Sequence, residues 1–338
     1  MSEALDSAGT LLRRLRSGER SALARALSHA ESTLPGARAE LDRLWQLSAQ
    51  PAVDQSAPVV AGVGTDSLRI AFTGAPGAGK SSLIEVVGLL LAKQNHKLAV
   101  LPVDPTSPVA GGSLLADQVR MNELSRHQNV FIRPSASKGM LGGAAPHTQE
   151  SIELCELAGY SYVIVETVGV GQSEIDAATL CDVVVLVLTP DAGDELQALK
   201  RGITEVSTAI VINKADSNRR AEAEQLLENY RAAASLMGQD PSRVWLTSAR
   251  EGTGVSDLAG WFMEQWLAQS RNPSERDSRR RAQRLHQFER ALASAILPEL
   301  LKRDALRAHY ESLRAQVASG EQSAAGALTD FCAALSLA

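Results

Sequence analysis

Short apolar runs alternate with amphipathic stretches through the middle of the chain, and that alternation predicts the architecture. Apolar segments at Leu68 to Phe72, Leu98 to Val103, Tyr162 to Glu166, Val183 to Thr189, Ala209 to Asn213 and Arg243 to Thr247 read as buried strands. Ser81 to Gln94, a segment near Pro146 to Ala158, Glu195 to Arg201, Arg219 to Met237 and Gly254 to Gln269 read as the intervening helices. A long polar, glycine-containing stretch separates Val103 from Pro146. Strand and helix in alternation predict an α/β fold with a doubly wound, mainly parallel sheet. Its ligand loops would lie at the carboxyl ends of the strands.

Both ends of the chain depart from this rhythm. Leu11, Leu12, Leu15, Leu23, Ala26, Leu27, Leu34, Leu41 and Leu44 recur at helical spacing, so residues 1–64 are expected to form a helical subdomain followed by a connector from Pro51 to Thr65. Residues 65–270 hold the alternating pattern. The charged run Arg271 to Arg281 is expected to be weakly structured at first and to open a helical extension, 271–338. There Leu285, Phe288, Leu292, Ile296, Leu300 and Leu301, then Leu306, Tyr310, Leu313 and Val317, form stripes that need a surface to bury. The remainder of the chain or a second subunit would serve.

The chemistry concentrates where predicted strands end. Gly74-Ala-Pro-Gly-Ala-Gly79-Lys80-Ser81 joins an apolar strand to a helix and fits GxxxxGK[ST], a phosphate-binding P-loop. Glycines let the backbone curl around a phosphate, the lysine adds charge near the β/γ bridge, and the serine hydroxyl suits Mg²⁺. Gly74, Ala75, Gly77, Ala78, Gly79, Lys80, Ser81 and Ser82 are therefore the phosphate-binding candidates. Asn213-Lys214-Ala215-Asp216 ends another strand in N-K-x-D, whose carboxylate suits the N1–H and exocyclic amine of guanine. Adenine offers no such pair of donors, and leaving the carboxylate unpaired would cost about 1–3 kcal/mol. Ser248-Ala249 supplies a further turn against the base. GTP is accordingly expected over ATP.

Asp104 ends the second strand, where a carboxylate reaches a phosphate-bound metal or its water shell. Glu166 begins Glu166-Thr-Val-Gly169-Val170-Gly171-Gln172-Ser173-Glu174, an E-x-x-G switch in which the Gly169 N–H would sense the γ-phosphate. Val170 stands where Ras-like proteins carry glutamine, so slow basal hydrolysis is expected. Gln172 serves either to orient water or to cap the next helix.

With 44% hydrophobic and 22% charged residues the chain can bury a large core, and its net charge of −5 supplies no general attraction to nucleic acid or an anionic membrane. No secretory signal is visible, and a cytoplasmic protein is expected. Cys155, Cys181 and Cys332 lie far apart, which suggests buried reduced thiols. His29, His96, His127, His147, His286 and His309 are dispersed, which disfavours transition-metal delivery.

Val103-Asp-Pro-Thr-Ser107, Gly111 to Met121, Phe131-Ile-Arg-Pro-Ser135, Glu166 to Glu174, Gly193-Asp-Glu-Leu-Gln197 and Asn213 to Asp216 together resemble the MeaB/ArgK family of SIMIBI-class GTPases over nearly the whole chain. The resemblance implies a homodimeric chaperone of methylmalonyl-CoA mutase or a related adenosylcobalamin-dependent acyl-CoA mutase. Such a chaperone gates cofactor delivery from an adenosyltransferase and helps eject damaged cofactor. It further implies that Asp104, Asp117 and Arg120 belong to switch I, Glu166 to Glu174 to switch II, and Asp191 to Lys200 to a third switch. On these terms the catalytic candidates are Lys80, Asp104, Glu166 and Lys200, and the Mg²⁺ candidates are Ser81, Asp104, Asp117 and Glu166. Two other readings are a kinase of an arginine/ornithine transport binding protein and a GTP-sensing scaffold without an enzymatic role.

Overall fold

The computed structural model describes residues 2–32, 34–49, 66–103, 121–133, 144–167, 179–190 and 207–335. The predicted connector and the helix at Glu195 to Arg201 lie outside them. Among the described residues the chain forms two compact units, 1–281 and 282–338.

The first unit is built on seven strands: β1 (Leu68–Thr73), β2 (Leu98–Val103), β3 (Val130–Ile132), β4 (Tyr162–Thr167), β5 (Val183–Leu188), β6 (Ala209–Ile212) and β7 (Val244–Leu246). Their order is β3-β2-β4-β1-β5-β6-β7, and every pairing is parallel. β5, Val-Val-Val-Leu-Val-Leu, is buried at all six positions, as expected of a strand covered on both faces. The register aligns Glu166 of β4 with Phe72 of β1 and Pro102 of β2, so three strand ends finish at one level.

Helices cover both faces. Ile70, Phe72, Ile164, Val185 and Val187 point to one side, against Leu83, Ile84 and Val87 of α4 (Lys80–Lys93), Leu124 of α5 (Asn122–Arg126), and Leu258 and Phe262 of α8 (Val255–Arg271). Ala71, Val163, Val165 and Val184 point to the other, against Ile152 and Cys155 of α6 (Ala144–Leu157). The same core takes in buried leucines of α1 (Ser2–Arg16), α2 (Arg20–Ala30) and α3 (Pro35–Ser48). Farther along that face, Leu186, Leu188 and Ile210 pack on Ala223 and Leu227 of α7 (Arg220–Leu236). Leu11, Leu12, Leu15, Leu23, Leu27, Leu41 and Leu44 thus share one continuous core with the sheet, whereas Leu34, the residue before α3, is exposed.

Three expectations needed correction. The stretch between Val103 and Pro146 contains α5 and the three-residue edge strand β3, too short to show an alternating period. The charged run after Arg271 is helical from Pro273, as the start of α9 (Pro273–Leu300), because its arginines meet carboxylates of the sheet unit. Cys155 and Cys181 are buried, with thiol pKa values pushed up chiefly by desolvation, but Cys332 is exposed.

In the second unit, α10 (Asp304–Ser319) packs on α11 (Ala324–Leu335), with Leu306 and Leu313 buried and Tyr310 edge-on to Phe331. Leu285, Phe288, Leu292 and Ile296 of α9 are exposed in the single chain. No helix among the described residues is long and apolar enough to cross a membrane.

Candidate nucleotide-binding site

The P-loop fills the turn between β1 and α4. Gly74 has φ +135° and lies so close to β5 that a Cβ would run into the Val187 carbonyl. Gly79, the residue before α4, has φ +88°, and a Cβ there would strike the Asn213 amide nitrogen at 2.5 Å. Only glycine meets both demands, of backbone conformation and of space. The loop delivers the chain into a 14-residue helix, whose first-turn N–H groups have no acceptor within the helix and whose dipole favours an anion.

Lys80 is buried, and its ammonium donates to the carbonyls of Gly74 at 2.7 Å and Ala75 at 3.0 Å. These bonds hold a positive charge under the loop. One residue on, the Ser81 hydroxyl donates to Glu166 Oε1 at 2.6 Å, joining the helix start to the end of β4. Two hard oxygen donors side by side beside a phosphate-binding turn fit Mg²⁺. Ala78 is buried, Gly77 has φ +80°, and Ser82 is exposed on the first turn of α4.

Asn213 connects this loop to the second motif. It is buried at the end of β6, and its amide nitrogen donates to the carbonyls of Ala78 at 3.0 Å and Gly79 at 3.5 Å. Its Oδ1 accepts from the Thr247 hydroxyl at 3.3 Å and the Ala249 N–H at 3.2 Å. The amide therefore binds the P-loop to the Ser248–Ala249 turn, a use of all four of its hydrogen-bonding sites. Lys214 follows with φ +60°, and Asp216 then accepts from the Ser248 hydroxyl at 2.5 Å.

Thr247, Ser217 and Glu251 belong to this constellation and were not singled out from the sequence. Glu251 Oε1 accepts from the Ser217 N–H at 3.1 Å and its hydroxyl at 2.8 Å, while the Glu251 N–H donates to Ser248 Oγ at 3.0 Å. The available signal was Ser248-Ala-Arg-Glu251, the S-x-x-E spacing in which a serine hydroxyl takes an N–H three residues on. Asp104, Asp117, Arg120, Gly169, Gln172 and Lys200 lie outside the described residues. No group of three or more histidine, cysteine, aspartate or glutamate residues among the described residues is arranged to hold a metal. Of the histidines, His96 stands edge-on to Tyr162 and Trp266, and its pKa is lowered by burial, as befits a packing residue.

The all-parallel sheet and the P-loop at its carboxyl edge define a P-loop nucleotide-binding protein. Residues 23–305 match the family described as methylmalonyl Co-A mutase-associated GTPase MeaB, and the chain belongs to that family. It is 42% identical over 251 residues to the GTPase ArgK of Escherichia coli K12, covering 73% of this chain and 72% of that one. It is 40% identical over 276 residues to the mitochondrial methylmalonic aciduria type A homolog of Mus musculus, covering 77% of this chain and 64% of the mouse protein. A probable GTPase of Mycobacterium tuberculosis H37Rv, Rv1496, is 36% identical over 322 residues, covering 94% and 91% of the two chains. Among solved structures, the crystal structure of an LAO/AO transport system kinase superposes with a TM-score of 0.75 at 28% identity, covering 98% of each chain.

Proposed function

We propose that this chain is a GTP hydrolase that serves an adenosylcobalamin-dependent acyl-CoA mutase, loading its cofactor and protecting it from inactivation. One observation carries the nucleotide half: Asn213 physically joins the P-loop to the turn that holds Asp216 and Ser248, so phosphate and base recognition form one unit. In this reading the Asp216 carboxylate accepts the two donors of guanine, and ATP would leave it unpaired. The first turn of α4 and the loop N–H groups cradle the phosphates, and Lys80 places its charge at the transferring phosphoryl group. Ser81 and Glu166 would hold Mg²⁺, with Asp104 and Asp117 as further candidates; bound there, the ion neutralises charge developing on the phosphate oxygens.

The partner half rests on membership of a family described as mutase-associated and on a relative named for methylmalonic aciduria. Val170 in place of a water-orienting glutamine supports slow turnover by the protein alone. A partner that brings Lys200 toward the nucleotide would raise that rate, since an added cation stabilises the transition state. The exposed stripe on α9 supports a homodimer, and cofactor handed on by an adenosyltransferase completes the reading.

The test is steady-state GTP hydrolysis by the purified protein alone and with a panel of cobalamin-dependent acyl-CoA mutases, with ATP as control. Stimulation by one mutase with GTP only is the expected result; unchanged turnover with every mutase overturns the partner assignment. The solved relative named as a transport system kinase raises a second reading, transfer of phosphate to a protein. Labelled γ-phosphate recovered solely as free phosphate removes it.

A further inference from the structure

Asp216 is held by a closed ring. Its carboxylate accepts from Ser248 Oγ, Ser248 Oγ accepts from the Glu251 N–H, and the Glu251 carboxylate accepts from both the N–H and the hydroxyl of Ser217. Ser217 is joined to Asp216 by a peptide bond, and the circuit is complete. Further bonds brace the turn that carries Ser248 and Glu251: Gly252 N–H to the Ser248 carbonyl at 2.8 Å, and Ser248 N–H to the Thr253 carbonyl at 3.0 Å.

We propose that Ser217 and Glu251 are positioning residues that set the aim of Asp216 and thereby the selectivity for guanine. The proposal rests on the guanine-nucleotide reading of the site. A carboxylate that must accept two donors at once tolerates only a small rotation of its plane, so whatever fixes that plane governs recognition. Ser248 fixes one carboxylate oxygen, but a serine hydroxyl rotates freely unless its own lone pair is engaged. The Glu251 N–H engages it. The Glu251 carboxylate then ties the Ser248–Glu251 turn to the backbone just after Asp216, so neither loop shifts along the other without breaking a hydrogen bond. Glu251 acts through Ser248 and Ser217 and does not itself have to reach the base.

Both residues are exposed, so their replacement leaves the core untouched. The test compares binding of GDP, IDP and ADP to the full chain and to E251A, E251Q and S217A by titration calorimetry. IDP lacks the exocyclic amine and makes only one of the two contacts to Asp216. A net contribution of ordinary hydrogen-bond size predicts that E251A weakens GDP about three- to tenfold. IDP should lose less, because it does not depend on both carboxylate oxygens. E251Q keeps the accepting oxygen and should stay within about twofold of the parent protein, with S217A between the two, since the Ser217 N–H remains.

Equal losses of GDP and IDP would mean a general loosening of the loop and would overturn the proposal. So would an E251A protein that binds GDP like the parent, or an E251Q protein as impaired as E251A. A parent protein that binds ADP as tightly as GDP overturns the guanine reading itself, and that result is read before any variant is made.

Discussion

The two ends of the parallel sheet carry polar networks of opposite character. At the carboxyl end, Ser81 with Glu166 and Asp216 with Ser248 are each joined by one hydrogen bond, and Asp216 and Ser81 are only partly buried. At the amino end four charges are buried together. Arg69, fully enclosed at the start of β1, grips Glu156 of α6 with two bonds of 2.7 and 2.6 Å. Arg280 of α9 grips Asp182, just before β5, with bonds of 2.8 and 2.7 Å. Arg279 adds a bond to Asp182 at 3.0 Å, Arg276 reaches Asp66 at 2.5 Å, and the Ser67 hydroxyl donates to Glu156 at 2.5 Å.

Burial explains the difference. Desolvation works against every charge in the amino-end network. For Glu156 it is the largest influence and would raise the pKa, yet the charges of Arg69 and Arg280 and the bonds from Arg69 and Ser67 outweigh it and hold the carboxyl below its usual range. For Arg280 desolvation prevails over Asp182, and the guanidinium pKa is lowered. Such a network costs much to break. It fixes the first turns of α9 against the sheet, while at the carboxyl end Ser81, Glu166 and Asp216 stay partly accessible beside the buried Lys80, Asn213 and Ser248.

The sharpest way to break the comparison is Arg69→Met, which leaves Glu156 buried beside one fewer cation. A loss of about 3–5 kcal/mol in urea unfolding is expected. A loss below 1 kcal/mol would show that the network is not what holds this end. At the other pole, Lys80→Ala should cut GTP turnover by about 10²- to 10³-fold with little change in the unfolding midpoint. Equal loss of stability and activity would erase the distinction between the poles.

A third variant, Asp216→Asn, should weaken GDP binding about ten- to a hundredfold and improve binding of XDP, because the amide donates to the xanthine carbonyl where the carboxylate accepted an amine. Unchanged GDP affinity by calorimetry would place the base elsewhere. The smallest effect concerns pH. Glu156 has a lowered folded-state pKa, so its contribution to stability is complete above the ordinary carboxylate range and is lost as the pH falls through the folded value. Urea midpoints measured from pH 7 down to pH 3 should decline in acid, and Glu156→Gln should flatten that decline. Parallel curves for the two proteins would assign the acid sensitivity to other groups.

Local chemistry made one pole legible. P-loop, N-K-x-D and Ser-Ala motifs are contiguous strings, each where a predicted strand ends, so they are read without knowing what lies nearby in space. The edge strand β3 escaped because three residues give no period, whereas β7, equally short, was marked by the Ser248-Ala249 motif that follows it. The amino-end network escaped because its partners are distant in the chain: Arg69 and Glu156 are 87 positions apart, and Arg280 and Asp182 are 98 apart. In sequence, Arg279 and Arg280 look like part of a solvated charge run. Only their placement beside Asp182 turns them into a buried pair.

By itself the sequence determined the parallel α/β architecture, the P-loop and N-K-x-D strings and the family, because each depends on neighbouring residues or on a regular period. The tertiary structure decided how the first fifty residues share the sheet's core, how Asn213 and the Asp216–Ser248–Glu251–Ser217 ring join separate loops, and how the first turns of α9 are anchored by buried charge. Those features depend on which distant groups are removed from water together. Desolvation and pairing are properties of the folded neighbourhood, and no local stretch of sequence encodes them alone.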